Sequence, residues 1–275
     1  MKKYTLLLLL SIFSIVTFAQ KKEKIKGDKN VTTITNSFEK RFTAIEISDN
    51  LKVTLTKSLQ NSYTLTTDKN LHNVIQFAIN EGVLRIYTTS NIVKSKELNI
   101  LLSLNNLESI FLKDDAELRM DKAYDSNTIT INAQNSSKFD IEAKANQATI
   151  TMLNDAKGKL KLHADQIAIT MTDKANLDAD INTDDTKASL SSSAKLKLDG
   201  NSDKVSFTSI DSSELDAKRL KVSSANVSTK DKSELHIDAR RNLSIDARDK
   251  SKVFVYSEPK IDIEKFTDRA EIIKR

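Results

Sequence analysis

The stretches KDKSELHI (Lys230–Ile237) and RDKSKVFV (Arg248–Val255) follow one pattern and lie 18 residues apart. A fixed internal period constrains a fold more tightly than any composition, because every period must adopt the same shape. The unit reads small, polar, apolar, polar, apolar. It stands at Ala116, Ser137, Ala156, Ala175, Ala194, Ser213, Ser233 and Ser251, with a degenerate copy at Ala270. Successive anchors are 21, 19, 19, 19, 19, 20, 18 and 19 residues apart. A second apolar series runs in phase: Ile131, Ile150, Ile169, Ala188 and Phe207 at intervals of 19, then Val227, Ile245 and Ile263 at 20, 18 and 18.

Within each period the texture is strict alternation, as in TITIN (Thr128–Asn132) and ATITM (Ala148–Met152). Alternation with period two marks a strand with one buried face. Each repeat therefore carries two short strands, and the expected fold is all-β: a single-domain parallel β-solenoid of about 19 residues per coil. Stacked coils lie about 4.8 Å apart, so eight steps make a rod of roughly 40 Å. An antiparallel sandwich would alternate in the same way. It would also need tight hairpin turns, and the Asn-Gly and Asp-Gly pairs that make them are missing except at Asp199-Gly200.

The polar turns between strands often hold Asp one or two places before the small anchor: Asp115, Asp155, Asp173, Asp211, Asp231, Asp249 and Asp268. Asp suits turns because its side chain accepts from nearby backbone amides. In a solenoid Asp173, Asp211, Asp231, Asp249 and Asp268 form one column. Such a column has three readings: turn formation, Ca²⁺ held by oxygens of adjacent turns, and paired carboxylates for acid–base cleavage of a polysaccharide. Lys or Arg follows at 174, 232, 250 and 269, which is expected to neutralise the carboxylates and favours turn formation. The glycine-rich repeat of Ca²⁺-binding β-rolls is missing as well.

The region before the repeats differs. FTAIEIS, LKVTLTK and SYTLTTD alternate but carry larger apolar residues, and NVIQFAINEGVLRIYTT reads as two strands joined at Glu81-Gly82, with a possible helical turn at LHNV. Residues 38–113 are expected to form the first coils and an N-terminal cap, because an open strand edge would recruit other chains. The regular repeats occupy 114–275, giving one solenoid domain over 38–275 behind a polar lead at 20–37. Residues 1–19 read as a signal peptide: Lys2 and Lys3, the apolar run Leu6–Phe18, and a cut between Ala19 and Gln20. The run is short for a bilayer span, so no transmembrane segment is expected in the mature chain.

Composition excludes more than it assigns. Removing Lys2 and Lys3 leaves 41 basic against 38 acidic residues with the signs interspersed, unlike the one-sided basic patch of a nucleic-acid binder. There is no Cys, and the three His (His72, His163, His236) are too far apart in sequence for a zinc motif. Four scattered Gly cannot build a phosphate-cradling loop. After the leader four Tyr and no Trp remain, so no aromatic platform for sugar stacking is visible. His163 and His236 read as surface residues of strands.

Several segments resemble the autotransporter-adhesin head GIN domain family (DUF2807), found in exported proteins of Bacteroidetes-like bacteria. The matching residues are Gly27, Asn30 and Val31 of IKGDKNV, Phe42, Ile45, Ile47, Leu51, Val53 and Leu55, then Asp68, Asn70, Leu71, Gly82, Leu84 and Ile86, then Leu98, Ile100, Leu107 and Ile110. The chain departs from the family at KDDAELRM, where Asp114, Asp115 and Ala116 replace a glycine-rich turn. The resemblance implies a β-solenoid-like exported protein with an adhesive role and no catalytic residues or cofactor. The expectation is an interaction or structural protein of the cell envelope, in the periplasm, at the surface or outside the cell. It would bind an envelope or extracellular protein or polysaccharide through a polar solenoid face. The alternative is a carbohydrate-active β-helix enzyme using carboxylates on one face.

Overall fold

The computed structural model describes residues 22–275. The leader and its expected cut between Ala19 and Gln20 lie outside the described residues. The described chain is all-β apart from one 3-10 turn at Lys69–Leu71, next to the stretch expected to turn helically.

From Lys138 onward the strands are long and bent: Lys138–Met152, Lys157–Met171, Asn176–Leu190, Lys195–Ser209, Glu214–Thr229 and Glu234–Ala247. Each pairs in parallel with the next. A corner divides each into a first arm and a second arm, as at Asn146 between Ala145 and Gln147. The in-phase apolar series predicted from sequence is the ladder itself: Ile131, Ile150, Ile169, Ala188, Phe207, Val227 and Ile245 are Cα partners in turn. None of them is more than 3% exposed. The solenoid reading holds, and the sandwich does not.

Size is balanced between neighbouring coils. The Phe139 ring lies over Gly158, where an added Cβ would stand 2.2 Å from Phe139 Cζ. Phe207 likewise follows Ala188 in its column. A close-packed interior accommodates an inward ring most easily where the preceding coil offers a small residue at the same position.

The turns repeat as faithfully as the strands. Asp114, Asn135, Asn154, Asp173, Ser192, Asp211, Asp231, Asp249 and Asp268 all have φ between 57° and 63°. Short polar side chains tolerate this left-handed region best among non-glycine residues. The anchor two places later closes the turn, as in Ala175 N–H to Thr172 O at 3.2 Å. Anchors stay small because they are sealed: Ala156, Ala175, Ala194, Ser233 and Ser251 are 0% exposed. At the anchors Ser213, Ser233 and Ser251 the hydroxyl donates back to the turn, as from Ser233 to Lys230 O at 2.8 Å.

The N-terminal region stacks out of chain order. Ala44–Ile47 lies between Val83–Thr88 and Ser109–Leu112, parallel to both. Lys52–Lys57 lies in the same way between Leu98–Leu104 and Glu117–Met120. The outer edge is then closed by antiparallel strands. Ile75–Asn80 covers Val83–Thr88 through a hairpin at Glu81-Gly82, both with positive φ. Ser62–Asp68 covers Leu98–Leu104, and Val31–Ser37 covers Ser62–Asp68. The segment read as a polar lead thus supplies a strand of this cap, and Lys24–Lys26 pairs with Asn91–Lys94. One apolar cluster runs from Phe42 to Ala270.

Candidate functional site

The period-two texture sends alternate residues outward, so each arm presents a face. The first arms carry charge. Lys138, Asp140, Glu142 and Lys144 face out from one coil, Lys157, Lys159 and Lys161 from the next, then Asp178 and Asp180. Opposite signs meet across coils at Lys161–Glu142 (3.1 Å), Lys195–Glu214 (2.9 Å) and Arg219–Asp199. Such exposed pairs satisfy one another and are well hydrated, contributing about 0–1 kcal/mol each.

The second arms present different chemistry. Asn132, Thr151, Thr170, Ser189, Thr208 and Ser228 are Cα partners in sequence, one per coil. Beside them runs a column that opens with Thr130 and Thr149, passes Ala168 and Lys187, and continues with Ser206 and Asn226. Thr170, Ser189 and Thr208 are exposed. The result is a mostly neutral strip of short hydroxyl and amide groups, spaced by the strand separation of about 4.8 Å. Each hydroxyl can donate and accept. The β-branched Thr and the rigid backbone leave little freedom to lose on binding.

The Asp column lies where expected, at the turns, but its partners differ from expectation. The Asp173 carboxylate accepts from Asn154 N–H (3.1 Å), and that of Asp211 from Ser192 N–H (2.9 Å). Asp249 does the same for Asp231 N–H at 3.4 Å. These carboxylates therefore lock one turn to the preceding one through its backbone N–H, where the sequence reading expected pairing with the Lys or Arg that follows. Each coil contributes one side chain to the column, and among the described residues no three His, Cys, Asp or Glu converge as a metal site. On the charged face, burial would raise the Asp216 carboxyl, but Lys218 outweighs it and holds it below the ordinary aspartate value. That is the direction of an ion pair, opposite to that of a general acid.

His163 is exposed on the charged face, as read from sequence. His236 is not a plain surface residue. It is half-buried and stacks on Phe254 with ring centroids 4.4 Å apart, and its Nδ1 lies 3.0 Å from the Tyr256 hydroxyl. The signal was available, because His236 and Phe254 occupy the same repeat position. Tyr63 stacks on Phe77 at 3.8 Å as part of the cap packing. A cleft of about 610 Å³ lies beside the cap between Asp49, Thr88, Lys94, Lys96 and Asp114. Asp49 is already occupied there by Lys22, Thr88 N–H (2.7 Å) and Thr88 Oγ1 (2.9 Å). No helix among the described residues is long and apolar enough to cross a membrane.

Comparison with solved structures places this architecture. A "putative adhesin" from Parabacteroides merdae superposes with a TM-score of 0.72 at 15% identity, covering 92% of this chain and 99% of that one. A "putative adhesin" from Parabacteroides distasonis gives 0.69 at 14% identity, covering 92% and 100%. A "putative lipid binding protein" from the same species gives 0.60 at 18%, covering 92% and 97%. At these identities the likeness is one of fold. No curated protein matches the chain. The family model described as "Putative auto-transporter adhesin, head GIN domain" matches residues 41–162 and again 153–259. The chain with its Ser/Thr-lined solenoid belongs to the auto-transporter adhesin head GIN domain family.

Proposed function

We propose that the protein is an exported, non-catalytic interaction module of the cell envelope, which holds a protein or polysaccharide partner against the hydroxyl-lined face of its second arms. The observation that carries this reading is the unbroken column from Asn132 to Ser228. A pre-organised, neutral, flat strip sheds its water more cheaply than the charged face opposite, because a hydroxyl costs less to desolvate than an ion. Each contact is weak. Repetition along one rigid axis makes the sum strong, since the second and later contacts are intramolecular. The carboxylates are spread along the rod, one coil at a time, and an adhesive role needs no convergent acid pair.

Two experiments test the reading. An epitope tag after Arg275, followed by protease digestion of intact and permeabilised cells, reports location. Digestion on intact cells is expected, and protection until the outer membrane is opened would remove the adhesive role. Binding of the purified protein to intact cells and to an array of envelope and host glycans reports the face. Thr170→Lys with Thr208→Lys is expected to abolish it, whereas Lys159→Ala with Lys197→Ala is expected to leave it in place. Equal loss from both pairs would show that no particular face is used.

A further inference from the structure

The two ends of the solenoid are finished differently. At the N-terminal end the parallel edge is covered by the chain's own antiparallel strands, Ser62–Asp68 and Ile75–Asn80. At the other end, among the described residues, Lys260–Phe266 pairs only with the second arm of Glu234–Ala247, and Glu271–Lys274 only with Lys252–Val255. Ile261, Ile263 and Phe266 continue the columns of Leu243, Ile245 and Ala247. Those three predecessors are no more than 1% exposed, while Ile261, Ile263 and Phe266 are 43%, 53% and 50% exposed. They are core positions with no following coil among the described residues. Their strand also leaves one row of backbone donors and acceptors unpaired, which is a template for another strand.

We propose that a second copy of this chain covers that end, the two rods meeting C-terminal end to C-terminal end about a two-fold axis. Three observations choose this occupant. A two-fold reverses strand direction, so the meeting edges run antiparallel, the sense in which the chain closes its own N-terminal end. Glu258 to Arg275 contains five acidic and five basic side chains, so two copies of this end meet without net repulsion and with opposite charges to pair. The N-terminal end does not offer the complementary surface. There the second-arm column finishes in Ile75–Asn80, whose Ile75 is buried and whose Phe77 and Ile79 already pack against the core, Phe77 under the Tyr63 ring, so a head-to-tail filament would find no matching row of exposed apolar residues. A self-complementary contact closes at two copies, whereas a head-to-tail one would propagate.

Light scattering across a dilution series tests this on the protein itself. The expected mass is that of a dimer, falling to half for Ile263→Lys, with Ile34→Lys at the opposite end leaving it unchanged. Because the chain has no Cys, single cysteines give an independent readout with a thiol-specific cross-linker. Asp262→Cys on the exposed edge strand is expected to yield a cross-linked dimer, and Thr33→Cys on the N-terminal strand is not. A monomer at every concentration, a dimer indifferent to Ile263→Lys, cross-linking through Thr33→Cys alone, or a ladder of higher masses would each overturn the proposal. Should Ile263→Lys disturb the fold, the cross-linking pair still decides.

Discussion

From Thr128 to Ala247 every level of the solenoid copies the level before it, while from Lys22 to Leu104 no level copies another. The stacked coils are specified by register. Any level offers its neighbour the same arms, the same left-handed turn residue and the same small anchor. The cap is specified by contacts that occur once: Gly27 against the Asp68 carboxyl, Tyr63 on Phe77, Asp49 on Thr88. It also joins distant segments, since Ala44–Ile47 stacks directly on Ser109–Leu112. A repetitive stack tolerates change that preserves the repeat. A cap built from single-use contacts tolerates little, and it protects the edge on which the whole stack depends.

The largest effects come from emptying either region, and they allow the first comparison. Phe207→Ala removes a ring that is 1% exposed in the stack, and Leu65→Ala removes a side chain that is 0% exposed in the cap. The first is expected to cost about 3–5 kcal/mol and the second about 2–5 kcal/mol, read by urea unfolding. Hydrogen exchange separates them. Phe207→Ala should raise exchange in its own and adjacent coils, because repeats contact only their neighbours. Leu65→Ala should raise it across Val31–Asp68 and Leu98–Leu104 together. A uniform rise in both variants would erase the distinction.

That difference also governs what was legible in the residues. The 19-residue spacing of Ile131, Ile150 and Ile169 displays the ladder directly, because parallel in-register pairing converts sequence distance into vertical position. The hydroxyl column was open to the same alignment, with Thr151, Thr170, Ser189 and Thr208 each 19 apart. It stays hidden while outward residues are treated as one polar class. The cap order is not readable in this way. Alternation makes Ala44–Ile47 a strand but does not say which of several similar strands flanks it. His236 on Phe254 was missed for a smaller reason, a residue judged singly and not by its repeat position.

Two glycines sharpen the comparison at the next level of effect. Gly158→Ala pushes a methyl into the Phe139 ring, and Gly27→Ala pushes one within 2.5 Å of the Asp68 carboxyl. Each is expected to cost about 1–3 kcal/mol as overpacking. In the stack the neighbour only fills space, so Phe139→Leu should recover much of the loss in the double variant. In the cap the Asp68 carboxylate also accepts from Lys96 N–H at 2.7 Å, so Asp68→Ala should deepen the loss. Double-mutant cycles on melting temperature read both signs. The same sign in both would mean that cap and stack are packed alike.

A single turn should cost less. Asp211 has φ of 63° and accepts from Ser192 N–H. Asp211→Ala loses that bond and adds strain of roughly 1–2 kcal/mol for a left-handed Ala. Asp211→Gly loses the bond but not the backbone angle, so the difference between the two variants measures the strain alone. Ser192→Gly relieves the same angle one coil earlier and should stabilise slightly. Because the turns are copies, moving this series to Asp173 is expected to give the same values.

The smallest effect is set by acid, and it falls on the cap. Burial by itself would raise the Asp49 carboxyl, but the Lys22 ammonium and the amide and hydroxyl of Thr88 outweigh it and hold it below the ordinary aspartate value of 3.8. A carboxyl with its folded value depressed is stabilised when ionised. Its contribution is therefore fully present above the unfolded value and is lost as pH falls through the folded one. Asp49 lies where the first left-handed turn meets the outermost coil, and Asp114 accepts its N–H, so protonation loosens the junction between cap and stack. Melting of the parent minus melting of Asp49→Asn should be positive and flat near neutral pH, and should shrink only below about pH 4. The carboxyl is half-buried but its Lys22 partner reaches solvent and is screened by salt, so the difference should also fall as ionic strength rises. In the stack, Asp246 is likewise held down, first of all by Arg248, but that pair joins residues two apart on a single coil. Asp49→Asn is expected to raise amide exchange at Thr88, whose N–H donates to the Asp49 carboxylate, whereas Asp246→Asn is expected to show the same pH dependence of melting without that rise. Exchange at Thr88 in both variants, or in neither, would show that the cap has no junction of its own to lose.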